Sequence, residues 1–339
     1  MQYGNVELHN VWNIAEREEG GGVRMCRFPL KILPAINRGA QMRSFAGAGC
    51  EIRGLLPPGG KGRIVLERTN ENVVPAIAET FFGCFLDSSV ALGDGPTEIM
   101  IEEPRHMPVM HEICQRNHLP FAANLVRVRL PHLHDIVIHV IDGDLIYPDV
   151  ESTPGTTMLA YGSSITHGAQ ALRPSGTYAS QAARTLGCDL LNLGVGGSAH
   201  MDAAVAEHIA ARTDWDFATL EMGINVGNWD ADRFRKAVEN FVGEIHTAQP
   251  EKPLFCMDVF TFRGDFVETP DHGGVQFRNI VRDIVAAQNS DKVIYVDGRT
   301  ILTNPAGLRP DLVHPGDDGM TEMGRNLAET IKTSGAIST

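Results

Sequence analysis

Hydrophobic positions in the first 150 residues fall in short stretches, broken repeatedly by Gly, Pro, Asn and Asp. Residues 63–67, 80–85, 97–101, 125–130 and 136–141 are the clearest of them. Val126 to Arg129 alternates apolar and charged side chains. Successive side chains on a strand point to opposite faces, so this alternation predicts a half-buried strand. The 136–141 run ends at Asp142-Gly143-Asp144, a turn signal. Helical periodicity is weak throughout this half. Many short strands with turns between them predict an antiparallel, jelly-roll-like β-sandwich domain over residues 1–150.

A stretch rich in turn formers, from Tyr147-Pro148-Asp149 to Ser152-Thr153-Pro154-Gly155, separates this half from the next. Beyond it the rhythm changes. Apolar strand candidates at 158–161, 189–193, 217–222, 254–259 and 293–296 alternate with helix candidates at 177–186, 203–211, 232–248, 275–287 and 320–332. Strands alternating with helices at these lengths predict βαβ units, hence a parallel five-stranded sheet covered on both faces. The second domain is expected to span residues 156–339.

Composition narrows the function classes. The 339 residues are 43% hydrophobic and 21% charged, ordinary for a soluble globular protein. A net charge of −13 argues against nucleic-acid partners, which require clustered positive charge to displace counterions. No apolar run approaches the roughly 20 residues needed to span a bilayer, and the N-terminus has no signal-peptide pattern. The six cysteines are scattered without a CxxC pair, so they are expected to be reduced and buried. Together these features predict a cytoplasmic protein.

Chemistry concentrates in the second half. Tyr161-Gly162-Ser163-Ser164-Ile165-Thr166-His167-Gly168 follows the apolar run 158–160 and places serines at the carboxyl end of a strand, where ligands bind in open α/β sheets. Taken alone, these serines also suit the capping of a following helix. Asn192-Leu193-Gly194-Val195-Gly196-Gly197-Ser198 offers backbone N–H groups that can approach a ligand closely. A dinucleotide reading of that segment fits poorly, because Ala199 stands where GxGxxG requires glycine and no acidic ribose partner follows. Gly223-Ile224-Asn225 presents an amide at another strand end. Asp311-Leu312-Val313-His314 can set a carboxylate against one imidazole nitrogen and leave the other for a hydroxyl.

This ordered set of four blocks resembles the SGNH (GDSL) hydrolase superfamily, over about residues 156–333. The resemblance implies a flavodoxin-like three-layer α/β/α domain and acyl transfer through a serine. By it, Ser164, His314 and Asp311 form the catalytic triad, and the oxyanion is held by Ser164 and Gly197 N–H groups and the Asn225 side chain. Two positions depart from the family pattern: Ser163 replaces the Asp before the nucleophile, and Val226 replaces the Asp that usually follows the oxyanion Asn. The variant Gly-Ser-Ser-Ile-Thr-His-Gly with a following Arg-Pro is similar to a subgroup with an N-terminal β-sandwich, whose members are esterases of acylated carbohydrates or acyltransferases on natural products.

Three functions therefore compete: a deacetylase of carbohydrate-like esters, an acyltransferase taking a thioester donor and a hydroxylated acceptor, and a non-catalytic carbohydrate-binding protein. None requires a cofactor or metal. His167, Arg173, His200 and Trp229 are candidates for the substrate pocket, Trp229 as a stacking face. His132 and His134 share a strand face in Pro131-His132-Leu133-His134-Asp135, with His139 nearby, but no third ligand completes a metal site. They are expected to be exposed strand histidines. The sandwich is free to bind carbohydrate, to form a homodimer, or to wall the active-site cleft.

Overall fold

The structure, a computed structural model, describes residues 1–17, 20–70, 74–267 and 274–337. Ahead of the linker the chain forms β1 (Gln2–Tyr3), β2 (Val6–His9), β3 (Asn13–Glu16), β4 (Val23–Cys26), β5 (Glu51–Leu55), β6 (Lys61–Arg68), β7 (Ile77–Phe82), β8 (Phe85–Ala91), β9 (Thr97–Glu102), β10 (Leu125–Arg129) and β11 (Ile136–Gly143). Every pairing among them is antiparallel. One sheet runs β1-β2-β5-β10-β7-β8 and the other β3-β4-β11-β6-β9. Their facing sides meet in one core that includes Leu8, Ile52, Ile64, Leu66, Val126, Val128 and Ile138. The apolar stretch at 80–85 is not one strand: Gly83 takes φ +57° and the chain reverses there into β8. His139 sits at a bulge between Ile138 and Val140, where its Nε2 meets Glu67 at 2.6 Å.

Two helices interrupt this half without a clear sequence signal. Helix α1 (Arg38–Arg43) is capped by Asn37, which accepts from the Ala40 N–H, and α2 (Met107–Asn117) buries only Met107 and Cys114. So few buried positions leave no apolar stripe for periodicity to reveal.

The alternation on β10 has an unexpected cause. Its charged face does not meet solvent; it packs on the second half of the chain. Arg127 is buried, bonds Glu51 at 2.7 and 2.8 Å, and lies 3.5 Å from the centre of the Phe121 ring. Arg53, its register partner on β5, forms a bidentate pair with Asp189, both bonds 2.7 Å. Burial opposes the Asp189 charge, but the Arg53 guanidinium outweighs it and holds that carboxyl far below its ordinary pKa. Arg53 also donates to Glu51 at 2.8 Å, so the pair belongs to a buried charge network in which Glu51 joins Arg53, Arg127 and Arg129.

The second half forms β12 (Thr157–Tyr161), α3 (Ser164–His167), α4 (Tyr178–Leu186), β13 (Asp189–Asn192), α5 (Ala203–Ala211), β14 (Phe217–Glu221), α6 (Ala231–Ala248), β15 (Leu254–Met257), α7 (Gly274–Ala287), β16 (Val293–Val296), α8 (Gly298–Ile301) and α9 (Asp317–Thr333). All strand pairs are parallel, in the order β13-β12-β14-β15-β16. With β12 first in sequence, this is the 2-1-3-4-5 flavodoxin-like order. Side chains alternate between two cores, as a period of two requires. Leu159, Leu191, Leu220 and Cys256 face α5, α6 and α7, while Met158, Ala160, Leu190 and Phe255 face α4 and α9. The strands thus read as continuous apolar runs because both faces are covered. All six cysteines are free. Among the described residues no helix is long and apolar enough to cross a membrane.

Candidate active site

The carboxyl ends of β12, β13 and β14 converge beside one another; Ser164, Gly197 and Asn225 rise from the loops that follow them, and Asp311 and His314 from the loop that precedes α9. At the end of β12 the chain turns through Gly162 into α3, and the two serines separate. Ser163 is buried; its Oγ accepts the Ile165 N–H at 3.1 Å as the helix cap, and its own N–H donates to Glu221 at 2.6 Å. Ser164, the first helical residue, turns its Oγ toward His314 Nε2 at 2.7 Å. The other ring nitrogen, Nδ1, faces Asp311 Oδ2 at 2.9 Å. With Nδ1–H donated to the carboxylate, Nε2 is left as an acceptor for the serine proton.

A tight loop holds Asp311 and His314. Asp311 Oδ1 accepts the Val313 and His314 N–H groups, each at 2.9 Å, while Leu312 adopts φ +54° so that the chain can fold back on the carboxylate. Burial would raise the Asp311 pKa, but those two N–H donors and the imidazole outweigh it and keep the pKa below the usual carboxylate value.

The glycine block lies opposite. Gly197 takes φ +70°, a conformation that favours glycine, and its N–H has no acceptor among the described residues. Asn225 sits in a short turn, Ile224–Val226, entered through Gly223 at φ +122°. Its Oδ1 accepts the Ala199 N–H at 3.1 Å, which orients the amide so that Nδ2 is the group left to donate. Ser164, Gly197, Asn225 and His314 line one cavity of about 680 Å³. Ile224, Val259, Phe262, Phe277 and Val313 give it an apolar wall, and Arg43 and Leu133 of the sandwich half reach it as well.

His167 also lines this cavity, but it is a buried link between the two halves. Its Nε2 donates to the His132 carbonyl at 2.8 Å and its Nδ1 accepts the Gly196 N–H at 3.1 Å. Burial, then the Arg27 charge, depress its pKa well below the ordinary value, so the ring is neutral. The other pocket candidates lie elsewhere. Arg173 points toward Glu79 at 3.9 Å and lines a separate cleft with Ser175 and Arg184. His200 and Trp229 pack edge to face at 5.6 Å, and Trp229 carries the Arg233 guanidinium at 3.7 Å over a different groove. His132 and His134 are buried rather than exposed, and burial lowers both pKa values to about 4. No cluster of three metal-binding side chains occurs among the described residues.

One residue escaped notice from sequence. Glu221 ends β14, fully buried beneath the serine turn, and accepts from the Ser163 N–H and from Thr166 Oγ1 at 2.8 Å. Burial raises its pKa, opposed by the Ser163 and Thr166 bonds. A carboxylate closing a mostly apolar strand was the available signal. The sandwich also grips the glycine block directly. Asn10 Nδ2 and Arg27 each donate to the Asn192 carbonyl at 2.9 Å, and Asn37 Nδ2 donates to the Ser198 carbonyl at 2.9 Å and to Asp202 at 2.7 Å.

No curated protein matches the chain by sequence. Among solved structures, the salicylyl-acyltransferase SsfX3 from a tetracycline biosynthetic pathway is 19% identical, with a TM-score of 0.79 over 98% of this chain and 95% of that one. A GDSL-like lipase of Bacteroides ovatus, described as putative, is 16% identical, with a TM-score of 0.74 over 98% of each chain. A family two carbohydrate esterase from Clostridium thermocellum, solved with cellohexaose, is 14% identical, with a TM-score of 0.62 over 96% of this chain and all of that one. At these identities the likeness is one of fold, and it extends through the sandwich as well as the parallel sheet. Residues 160–321, which contain Ser164, Gly197, Asn225, Asp311 and His314, match the model of the GDSL-like Lipase/Acylhydrolase family.

Proposed function

We propose that the protein is a serine esterase that passes through an acyl-enzyme, with residues 156–339 as the catalytic domain and 1–150 as a sandwich domain that walls its cleft. His314, oriented by Asp311, takes the Ser164 proton as Oγ attacks the ester carbonyl. The tetrahedral oxyanion is stabilised by the Ser164 and Gly197 N–H groups and by Asn225 Nδ2, each donor contributing about 10²–10³-fold in rate. His314 then gives the proton to the departing alcohol, and water repeats the sequence on the acyl-serine. No step calls on a metal or a cofactor. The observation that carries this reading is the 2.7 Å approach of Ser164 Oγ to His314 Nε2, with Asp311 at 2.9 Å behind it, opening onto a cavity. Free, mostly buried thiols support a reducing, cytoplasmic setting.

A carbohydrate ester is the first substrate class, in keeping with the carbohydrate esterases that share the fold. The cavity volume and the Phe262 and Phe277 rings favour a second reading beside it, transfer of an acyl group bulkier than acetyl to a hydroxylated acceptor. A binding protein without catalysis would have no use for the Ser164–His314–Asp311 chain. Hydrolysis of p-nitrophenyl acetate by wild type, with loss of turnover in Ser164→Ala and its retention in Ser163→Ala, is the expected result; the opposite pattern contradicts the assignment. Product analysis with added alcohols separates the readings, because a transferase gives the new ester in preference to the free acid.

A further inference from the structure

The cavity that contains the Ser164 hydroxyl is lined by two arginines, Arg43 at the end of α1 and Arg263 in the loop after β15, and by no aspartate or glutamate among the described residues. That is unusual for a chain with 42 acidic and 29 basic residues. Several arginines elsewhere sit on carboxylates, as Arg24 does on Asp135, Arg63 on Glu98 and Asp142, Arg278 on Asp265 and Arg299 on Asp297, while Arg27 is spent on backbone carbonyls and Arg233 on the Trp229 ring. Arg43 and Arg263 form no ion pair within the protein's described residues. They come from different halves of the chain, so the pair exists only in the assembled cleft. The Arg43 charge also reaches inward, being among those that, behind burial and Arg27, disfavour a charged His167.

A guanidinium presents a planar fork of donors suited to carboxylate and phosphate oxygens. An unpaired cation in a concave site, with low-dielectric walls around it, concentrates anions there. Ile224, Val259, Phe262 and Phe277 supply such walls in this cavity. We propose that the substrate is an anionic ester or thioester, whose carboxylate or phosphate is held by Arg43 and Arg263 while its apolar portion lies along Phe262 and Phe277 and its carbonyl reaches Ser164. This assignment rests on the acyl-serine reading and names the substrate class for that site.

Two matched pairs of compounds test it: mono-p-nitrophenyl glutarate against p-nitrophenyl valerate for a carboxylate on the acyl group, and acetyl-coenzyme A against S-acetyl-N-acetylcysteamine for phosphate on the leaving group. In at least one pair the anionic member is expected to have the higher kcat/KM by about 10-fold, the discrimination that one charge-assisted hydrogen bond confers. Arg43→Gln and Arg263→Gln should each pull that ratio toward one, as should about 0.5 M NaCl, which shortens the Debye length to a few ångströms. Arg325→Gln removes an exposed charge on α9, outside the cavity, and should leave the ratio unchanged. Ratios at or below one in both pairs, or a preference indifferent to both cavity variants, overturn the proposal. Failure of the underlying acyl-serine reading is distinguished separately, by absence of fluorophosphonate labelling at Ser164.

Discussion

Replacing His167 with leucine cuts the link between the sandwich and the glycine loop at a defined place. The imidazole donates to the His132 carbonyl at 2.8 Å and accepts the Gly196 N–H at 3.1 Å, and leucine offers neither group in a comparable volume. Both backbone partners would be orphaned, at about 1–3 kcal/mol each when buried. The catalytic consequence is separate from that cost. Gly196 precedes Gly197, so losing its anchor frees the peptide that aims the Gly197 N–H, and one misdirected oxyanion donor is worth about 10²–10³-fold in turnover. Steady-state kinetics on p-nitrophenyl acetate should show kcat falling by about 10²-fold with a much smaller change in KM, since an oxyanion donor acts mainly in the transition state. Glutamine can accept through Oε1 and donate through Nε2, so His167→Gln should recover most of the loss. A His167→Leu enzyme that melts earlier yet keeps the wild-type kcat would refute the reasoning and reduce His167 to a packing residue.

Three further outcomes follow from the buried polar groups. Asp189→Asn strips the charge from the bidentate Arg53 pair while Arg53 keeps Glu51 at 2.8 Å, so it should cost about 1–3 kcal/mol in urea unfolding, the effect of losing charge-assisted bonds rather than of stranding a charge; an unchanged midpoint would mean that the interface does not depend on the pair. Glu221→Ala orphans the Ser163 N–H and leaves the Thr166 hydroxyl with Tyr178 alone, and should lower Tm, while Glu221→Gln, which keeps an acceptor oxygen, should lower it less; equal Tm values for all three proteins would contradict this. Acid should destabilise the fold before most carboxylates titrate. His132 and His134 are held near pKa 4 by burial, His208 near 3, and His167 well below 6.5. Below pH ~6.5 the unfolded chain protonates these rings and the folded one does not, so stability falls with pH down to the folded values, by up to about 1.4 kcal/mol per histidine per pH unit. Urea midpoints at pH 7 and pH 5 measure it, and equal midpoints would show that the rings are not buried neutral.

The five central strands were legible in the sequence to within two residues, because a strand covered on both faces is an unbroken apolar run with a turn after it. The blocks around Ser164, Gly197, Asn225 and His314 were legible for a related reason: each follows a strand end or lies in a short loop where polar and glycine residues stand out. What depended on packing between halves was not. The Val126–Arg129 alternation gave the strand but not the meaning of its charged face, since only the assembled interface places Arg53 against Asp189. His132 looks like a surface residue until the second half, at Gly168 and Ala171, covers it. Arg173 and Trp229 are a few residues from the serine and the asparagine, yet each points away, because the direction of a loop side chain is set by its partners, here Glu79 and Arg233. Arg43 and Leu133, more than 30 residues ahead of Ser164 in the chain, reach the cavity with no local signal at all.

The proposed reaction requires Ser164 Oγ, and not the neighbouring Ser163 hydroxyl, as the nucleophile. Mass spectrometry of peptides after reaction with a fluorophosphonate tests it most directly. A single adduct on Ser164 is expected, retained in Ser163→Ala and abolished in Ser164→Ala and, for want of a base, strongly slowed in His314→Ala. An adduct on Ser163, or undiminished labelling of the Ser164→Ala protein, would contradict it.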